Sequence, residues 1–199
     1  NTAWLQIAST LKAKHDISTS VWVSSVDYRH RECKELFPNV KFYAHSDAIR
    51  AIPPCWLQKT NFVVDAPKLD RNAIYEPIFN NMIDRWASNL TSEPFLKRRL
   101  YYIELLQIWY DILAGEGIDL VVMPTIPHRI YDFAAYIVAR DLGIPFLMLD
   151  QTGEMLIEPD GRRISMYYFT PDLTSRDTYL GKQLILKGVK KSCQLQRYI

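Results

Sequence analysis

At 199 residues the chain is long enough for one large or two small domains, and for a substantial buried core. Its 48% hydrophobic and 23% charged residues describe an ordinary globular composition. The 24 Lys and Arg against 22 Asp and Glu leave a formal charge of +2, without the concentrated basic face that nucleic-acid binding needs. The basic runs Lys97-Arg98-Arg99 and Lys190-Lys191 are short and read as solvated helix faces. Cys33, Cys55 and Cys193 are scattered and odd in number, which points to reduced thiols in a cytoplasmic protein rather than a disulfide framework or a metal site. No stretch approaches the ~20 apolar residues of a membrane span, and no signal peptide is present. The triplet Asn89-Leu90-Thr91 fits a glycosylation acceptor, a pattern short enough to recur by chance. The chain opens on Asn1 and runs directly into a helical pattern, so a fragment of a longer protein is expected, and a first strand of the sheet, if there is one, is expected upstream.

In chain order, residues 4–14 place Leu5, Ala8 and Leu11 on one helical face. Residues 19–24 read as a strand, 28–37 as a helix and 40–43 as a short strand with β-branched and aromatic residues. Between residues 51 and 70 the pattern breaks around Pro53, Pro54 and Pro67, as in a long connection. Two helices follow. Residues 71–90 carry Ile74, Ile78, Phe79, Met82, Ile83 and Trp86, and residues 92–115 carry Leu96, Leu100, Ile103, Leu106, Trp109 and Leu113. Ser92, with Glu93-Pro94, suits the start of the second. Tyr101, Tyr102, Trp109 and Tyr110 lie at helical spacing, where aromatics serve a core more often than a stacking platform.

Residues 118–153 form the centre of the chain: an apolar run, a polar loop, an amphipathic helix over 130–142, a stop at Gly143 and Pro145, and a second apolar run. Neither apolar run alternates with polar residues, so both strands expect cover on two faces. Further on, residues 155–158 and 163–168 flank Pro159-Asp160-Gly161 as a β-hairpin. The alternation of elements predicts an α/β fold: a Rossmann-like, doubly wound, mostly parallel sheet with helices on both faces, plus the hairpin near the C-terminal end. Residues 1–170 form the expected domain, and 171–199 a helical tail or the start of an inter-domain connection.

Ligands bind at the carboxyl ends of strands in such sheets. One of these ends carries Thr125, Pro127 and His128, and the other Asp150, Gln151 and Thr152. If the helix begins near Arg129, His128 lies beside the positive end of its dipole, which favours a neutral ring able to accept a proton. Asp132, one turn on, either orients that ring or caps the helix. Asp150 is the second carboxylate, with a turn residue as its alternative. Thr125, Gln151 and Thr152 are the candidate substrate contacts. His15 suits a helix C-terminus, and His30 with Cys33 is a poor metal signal. His45 ends a strand as His128 does, and reaches the same crevice only if the strand order allows. No GxGxxG, no GxxxxGK[ST], no GxSxG elbow and no zinc spacing occurs, so no cofactor and no metal is expected.

The run from Asp119 through Pro127-His128, Asp132, Tyr136 and Ala139-Arg140-Asp141-Leu142-Gly143-Ile144-Pro145 to Asp150-Gln151-Thr152-Gly153 resembles the N-terminal half of GT-B-type glycosyltransferases. In particular it looks like bacterial proteins of surface or capsular polysaccharide biosynthesis. The related UDP-sugar 2-epimerases share the Leu-Gly-Ile-Pro turn and the strand ending in an acid and a glycine. The resemblance covers about 35 residues. It implies a two-domain enzyme whose first domain receives a carbohydrate acceptor and whose second, not found in this sequence, grips the nucleotide-sugar. His128 would then be the base, Asp132 its partner, and Asp150 part of the crevice wall. The rivals are a non-catalytic ligand-binding or docking domain and an epimerase fragment.

Overall fold

The computed structural model describes residues 2–24, 30–60, 62–86, 93–157 and 163–170. The chain is mixed α/β. Its order is α1 (Thr2–His15), β1 (Val21–Ser24), α2 (His30–Leu36), β2 (Lys41–Ala44), α3 (His45–Ile49), α4 (Ala66–Asn72), α5 (Glu76–Trp86), α6 (Phe95–Gly115), β3 (Val121–Met123), α7 (Ile130–Asp141), β4 (Phe146–Ile157) and β5 (Arg163–Thr170). The expected turn at Pro159-Asp160-Gly161, the glycosylation triplet, Ser92, Cys193 and the expected tail over residues 171–199 lie outside the described residues.

The described strands form two sheets. β1 pairs with β2 in parallel, from Val21 opposite Lys41 to Ser24 opposite Ala44. In the other sheet β3 pairs with β4 in parallel, and β4 with β5 antiparallel. Both crossover pairs expected from the alternation of elements are present, and so are the two strands of the hairpin. An extended doubly wound sheet is not present among the described residues, which corrects the expectation of one mostly parallel sheet. The order of elements determines which strands a crossover makes parallel neighbours. Whether two such pairs join edge to edge is a separate choice, and four-residue strands such as β1 and β2 carry little pattern to decide it.

The chain divides into two compact units, Asn1–Ile118 with Arg129–Leu142, and Asp119–His128 with Gly143–Ile199. The first holds every described helix. In it α6 packs against α7, and α5 and α3 also pack on α7. α6 is buried through Tyr101, Tyr102, Leu105, Leu106, Trp109, Tyr110 and Leu113, so the aromatics at helical spacing are core. α7 is buried without interruption from Asp132 to Ala139, and its alanines at 134, 135 and 139 let neighbours approach closely. Phe79 of α5 is fully buried against the rings of Tyr101 and Tyr102. A smaller core lies where Cys33, Phe37 and Val40 meet Leu5, Ala8 and Trp22.

The helix expected over residues 71–90 is divided. A 3-10 turn at Ala73–Tyr75 precedes α5 and shifts the phase of the apolar stripe, leaving Ile74 71% and Ile78 45% exposed while Phe79, Met82 and Ile83 go inside. The expected connection over residues 51–70 contains the start of α4, whose N-cap Asp65 accepts from the backbone N–H of Lys68 at 3.1 Å, with Pro67 in the first turn. The rest of that connection is tied to α6. Asp111, 4% exposed, accepts from the Thr60 backbone N–H at 2.9 Å and the Thr60 hydroxyl at 2.6 Å. Gln107 accepts from the Val64 N–H and donates to the Phe62 carbonyl.

Candidate functional site

The second unit presents the loop that follows β3. β3 ends at Met123, opposite Met148 of β4, and β4 runs on past it. Asp150 and Gln151 therefore lie on β4 just beyond the carboxyl end of β3, paired across the antiparallel side with Tyr168 and Tyr167. Thr152 falls in the irregular stretch between Gln151 and Met155. The sequence places these three at a strand end. In the structure they sit within a longer strand, because the irregularity absorbs Gly153 and lets pairing resume at Met155.

In the loop, His128 Nδ1 lies 2.9 Å from the carbonyl oxygen of Ile126 and 3.1 Å from the hydroxyl of Thr125. A carbonyl oxygen only accepts, so Nδ1 carries a ring proton. A general base acting through Nε2 is held by its Nδ1–H in the same way. The Ile126 carbonyl and the Thr125 hydroxyl orient the ring, a role that the sequence reading left open to Asp132. Asp132 stands at the N3 position of α7 and accepts the backbone N–H of the N-cap, Arg129, at 2.8 Å. This is the capping role, the second of the two open to it.

The first unit holds a separate cluster. His45 begins α3 directly after β2, and its Nδ1 lies 2.8 Å from the hydroxyl of Tyr131. Arg129 Nη1 lies 3.0 Å from His45 Nε2 and 3.3 Å from Nδ1. These two distances place Nη1 against the imidazole, off the axis of either lone pair, so the guanidinium packs on the ring; Arg129 also hydrogen-bonds the Tyr131 hydroxyl, which shares a hydrogen bond with His45 Nδ1. Burial, reinforced by the charge of Arg129, lowers the His45 pKa below its ordinary value. Burial also pushes the Tyr131 hydroxyl up to about 12, with the charge of Asp132 adding to the effect. At neutral pH the cluster therefore sets the Arg129 cation between two neutral rings, with the Asp132 carboxylate on the same turn accepting the Arg129 backbone N–H. It opens on a cavity of about 220 Å³ lined by His45, Ile49, Arg129 and Ile130.

Sequence reasoning set His45 aside pending the strand order, and missed Arg129 and Tyr131 as functional groups. Their signal was weak but present: an arginine and a tyrosine on either side of the first residue of a helix that follows a strand end. Among the described residues no group of three or more His, Cys, Asp and Glu can hold a metal ion, and no helix is long and apolar enough to cross a membrane. Comparison of the chain with protein-family models, with curated proteins and with solved structures finds no match.

Proposed function

We propose that the chain is the acceptor-side part of a GT-B-type glycosyltransferase of surface polysaccharide synthesis, moving a sugar from a nucleotide-sugar to a carbohydrate hydroxyl. The observation that carries this reading is His128, its ring oriented by the bond from Nδ1–H to the Ile126 carbonyl, in the loop at the carboxyl end of a parallel strand. The resemblance over residues 119–153 supports it from the sequence side. In the proposed reaction Nε2 takes the proton of the acceptor hydroxyl, whose oxygen forms a bond to the anomeric carbon as the bond from that carbon to the nucleoside diphosphate breaks. Thr125, beside His128, and Asp150, Gln151 and Thr152 on β4 are the proposed acceptor contacts. Asp132 holds the first turn of α7. The nucleotide-sugar belongs to a second domain that the resemblance implies.

The test is a transfer assay with nucleotide-sugar donors and oligosaccharide acceptors. His128→Ala is expected to lower turnover about 10²–10⁴-fold, the usual contribution of a general base, while acceptor affinity stays nearly unchanged. An unchanged rate sinks the base assignment. A second reading, a ligand-binding domain without chemistry, is favoured by Asp132 serving as a helix cap. It predicts carbohydrate binding that persists in His128→Ala and no turnover with any donor.

A further inference from the structure

The Arg129 cluster is not used by the transfer chemistry. Its guanidinium is half-buried, and its side-chain partners among the described residues, the His45 ring and the Tyr131 hydroxyl, are both uncharged at neutral pH, while the nearby Asp132 carboxylate accepts the Arg129 backbone N–H at the helix start. Withdrawing a cation from water is unfavourable unless a counter-charge or a full set of acceptors meets it. The His45 ring packs against the guanidinium and the Tyr131 hydroxyl accepts from part of its fork, and the remaining N–H groups are available to a planar oxyanion. The adjoining cavity has about 220 Å³, too small for a nucleotide and sufficient for an anionic group on a small body. Ile49 and Ile130 supply its apolar walls. Ile130 is also the first residue of α7, where the helix dipole adds positive potential to that of Arg129.

We propose that the cavity bounded by His45, Ile49, Arg129 and Ile130 is a binding site for a small oxyanion, the carboxylate of a short aliphatic acid or a phosphate group. Arg129 grips the anion, the neutral His45 ring positions the guanidinium, and Ile49 and Ile130 enclose the body behind the charge. Tyr131 fixes the other side of the imidazole, so the fork is held in place before a ligand arrives. The site rests on residues of the first unit alone and involves neither His128 nor a carbohydrate, so it stands or fails separately from the transfer reading.

The experiment is a titration of the 199-residue chain with propionate, inorganic phosphate and, as the uncharged control, propionamide, followed by NMR at the His45 ring and the Arg129 side chain. Saturable shifts with propionate or phosphate and none with propionamide are expected, and the stronger of the two anions identifies the source. Arg129→Gln keeps the backbone N–H that Asp132 caps and is expected to weaken binding by about tenfold or more, as loss of a charge-assisted contact does. Arg129→Lys restores the charge without the planar fork and recovers part of the affinity. Ile49→Phe fills the cavity and removes binding without touching a charge; the arginine variants decide the matter on their own if that protein does not fold. Absence of saturable binding by both anions overturns the proposal, as does equal affinity in wild type and Arg129→Gln.

Discussion

Two histidines stand just past strand ends, and their hydrogen bonds assign them different work. His128 gives its Nδ1 proton to a backbone carbonyl, whereas His45 packs against the Arg129 guanidinium and shares a hydrogen bond at Nδ1 with the Tyr131 hydroxyl. The first is the proposed base, and the second holds a cation in place. Asp141, at the end of α7, shows what a fixed charge does for the fold. Its carboxylate accepts from Arg71 at 2.9 and 3.1 Å and from the hydroxyl of Tyr110. The Arg71 guanidinium, and after it the Tyr110 hydroxyl, hold this carboxyl below the ordinary carboxylate range against the opposing effect of burial. On acidification the unfolded chain therefore protonates at Asp141 before the native chain does. The stabilisation is complete above the ordinary carboxylate range and is lost as pH falls through the lower native value. Asp141→Asn is expected to cost about 1–3 kcal/mol at pH 7, for a hydrogen bond to a charged group at a half-buried site. In urea unfolding the gap between variant and wild type should close as pH falls from about 5 to below 3; a gap independent of pH contradicts this. His128 was legible in the sequence because Pro127-His128 precedes a helix in a strand-end loop. Its holder was not, since the Ile126 carbonyl is a backbone atom, and the partner of His45 lies 84 residues away.

At the scale of elements, α7 was readable to within a residue because its apolar spacing and its stop signal agree. Gly143 follows the C-cap Leu142 with φ of 70°, the left-handed position that closes a helix. A Cβ there would meet nothing within 4 Å, so Gly143→Ala pays only the backbone cost, about 1 kcal/mol. A matching fall in the denaturation midpoint checks this, and an unchanged midpoint contradicts it. α4 and α5 were less readable for different reasons. Asp65-Ala66-Pro67 is a sound helix start, but it lies in a stretch whose prolines otherwise read as a break. The 3-10 turn before α5 resets the helical phase without any residue that announces it.

For the whole molecule, the sequence made clear that helices and strands alternate and that each crossover joins parallel neighbours. The expectation that the pairs join in one mostly parallel sheet is not met, and the described strands form two small sheets, one in each compact unit. The candidate residues are divided in the same way: Thr125, His128 and Asp150 belong to the second unit, and His45, Arg129 and Tyr131 to the first. The central claim concerns the second unit, that the loop after β3 receives a carbohydrate with His128 as base. The most direct measurement is a titration of the isotopically labelled chain with a panel of neutral oligosaccharides, followed at the backbone amides of Thr125, His128 and Asp150 and at the His128 ring. Saturable shifts at Thr125 and at the His128 ring are the expected result. Carbohydrate that binds while leaving those signals unmoved, or a panel in which none binds, contradicts the assignment.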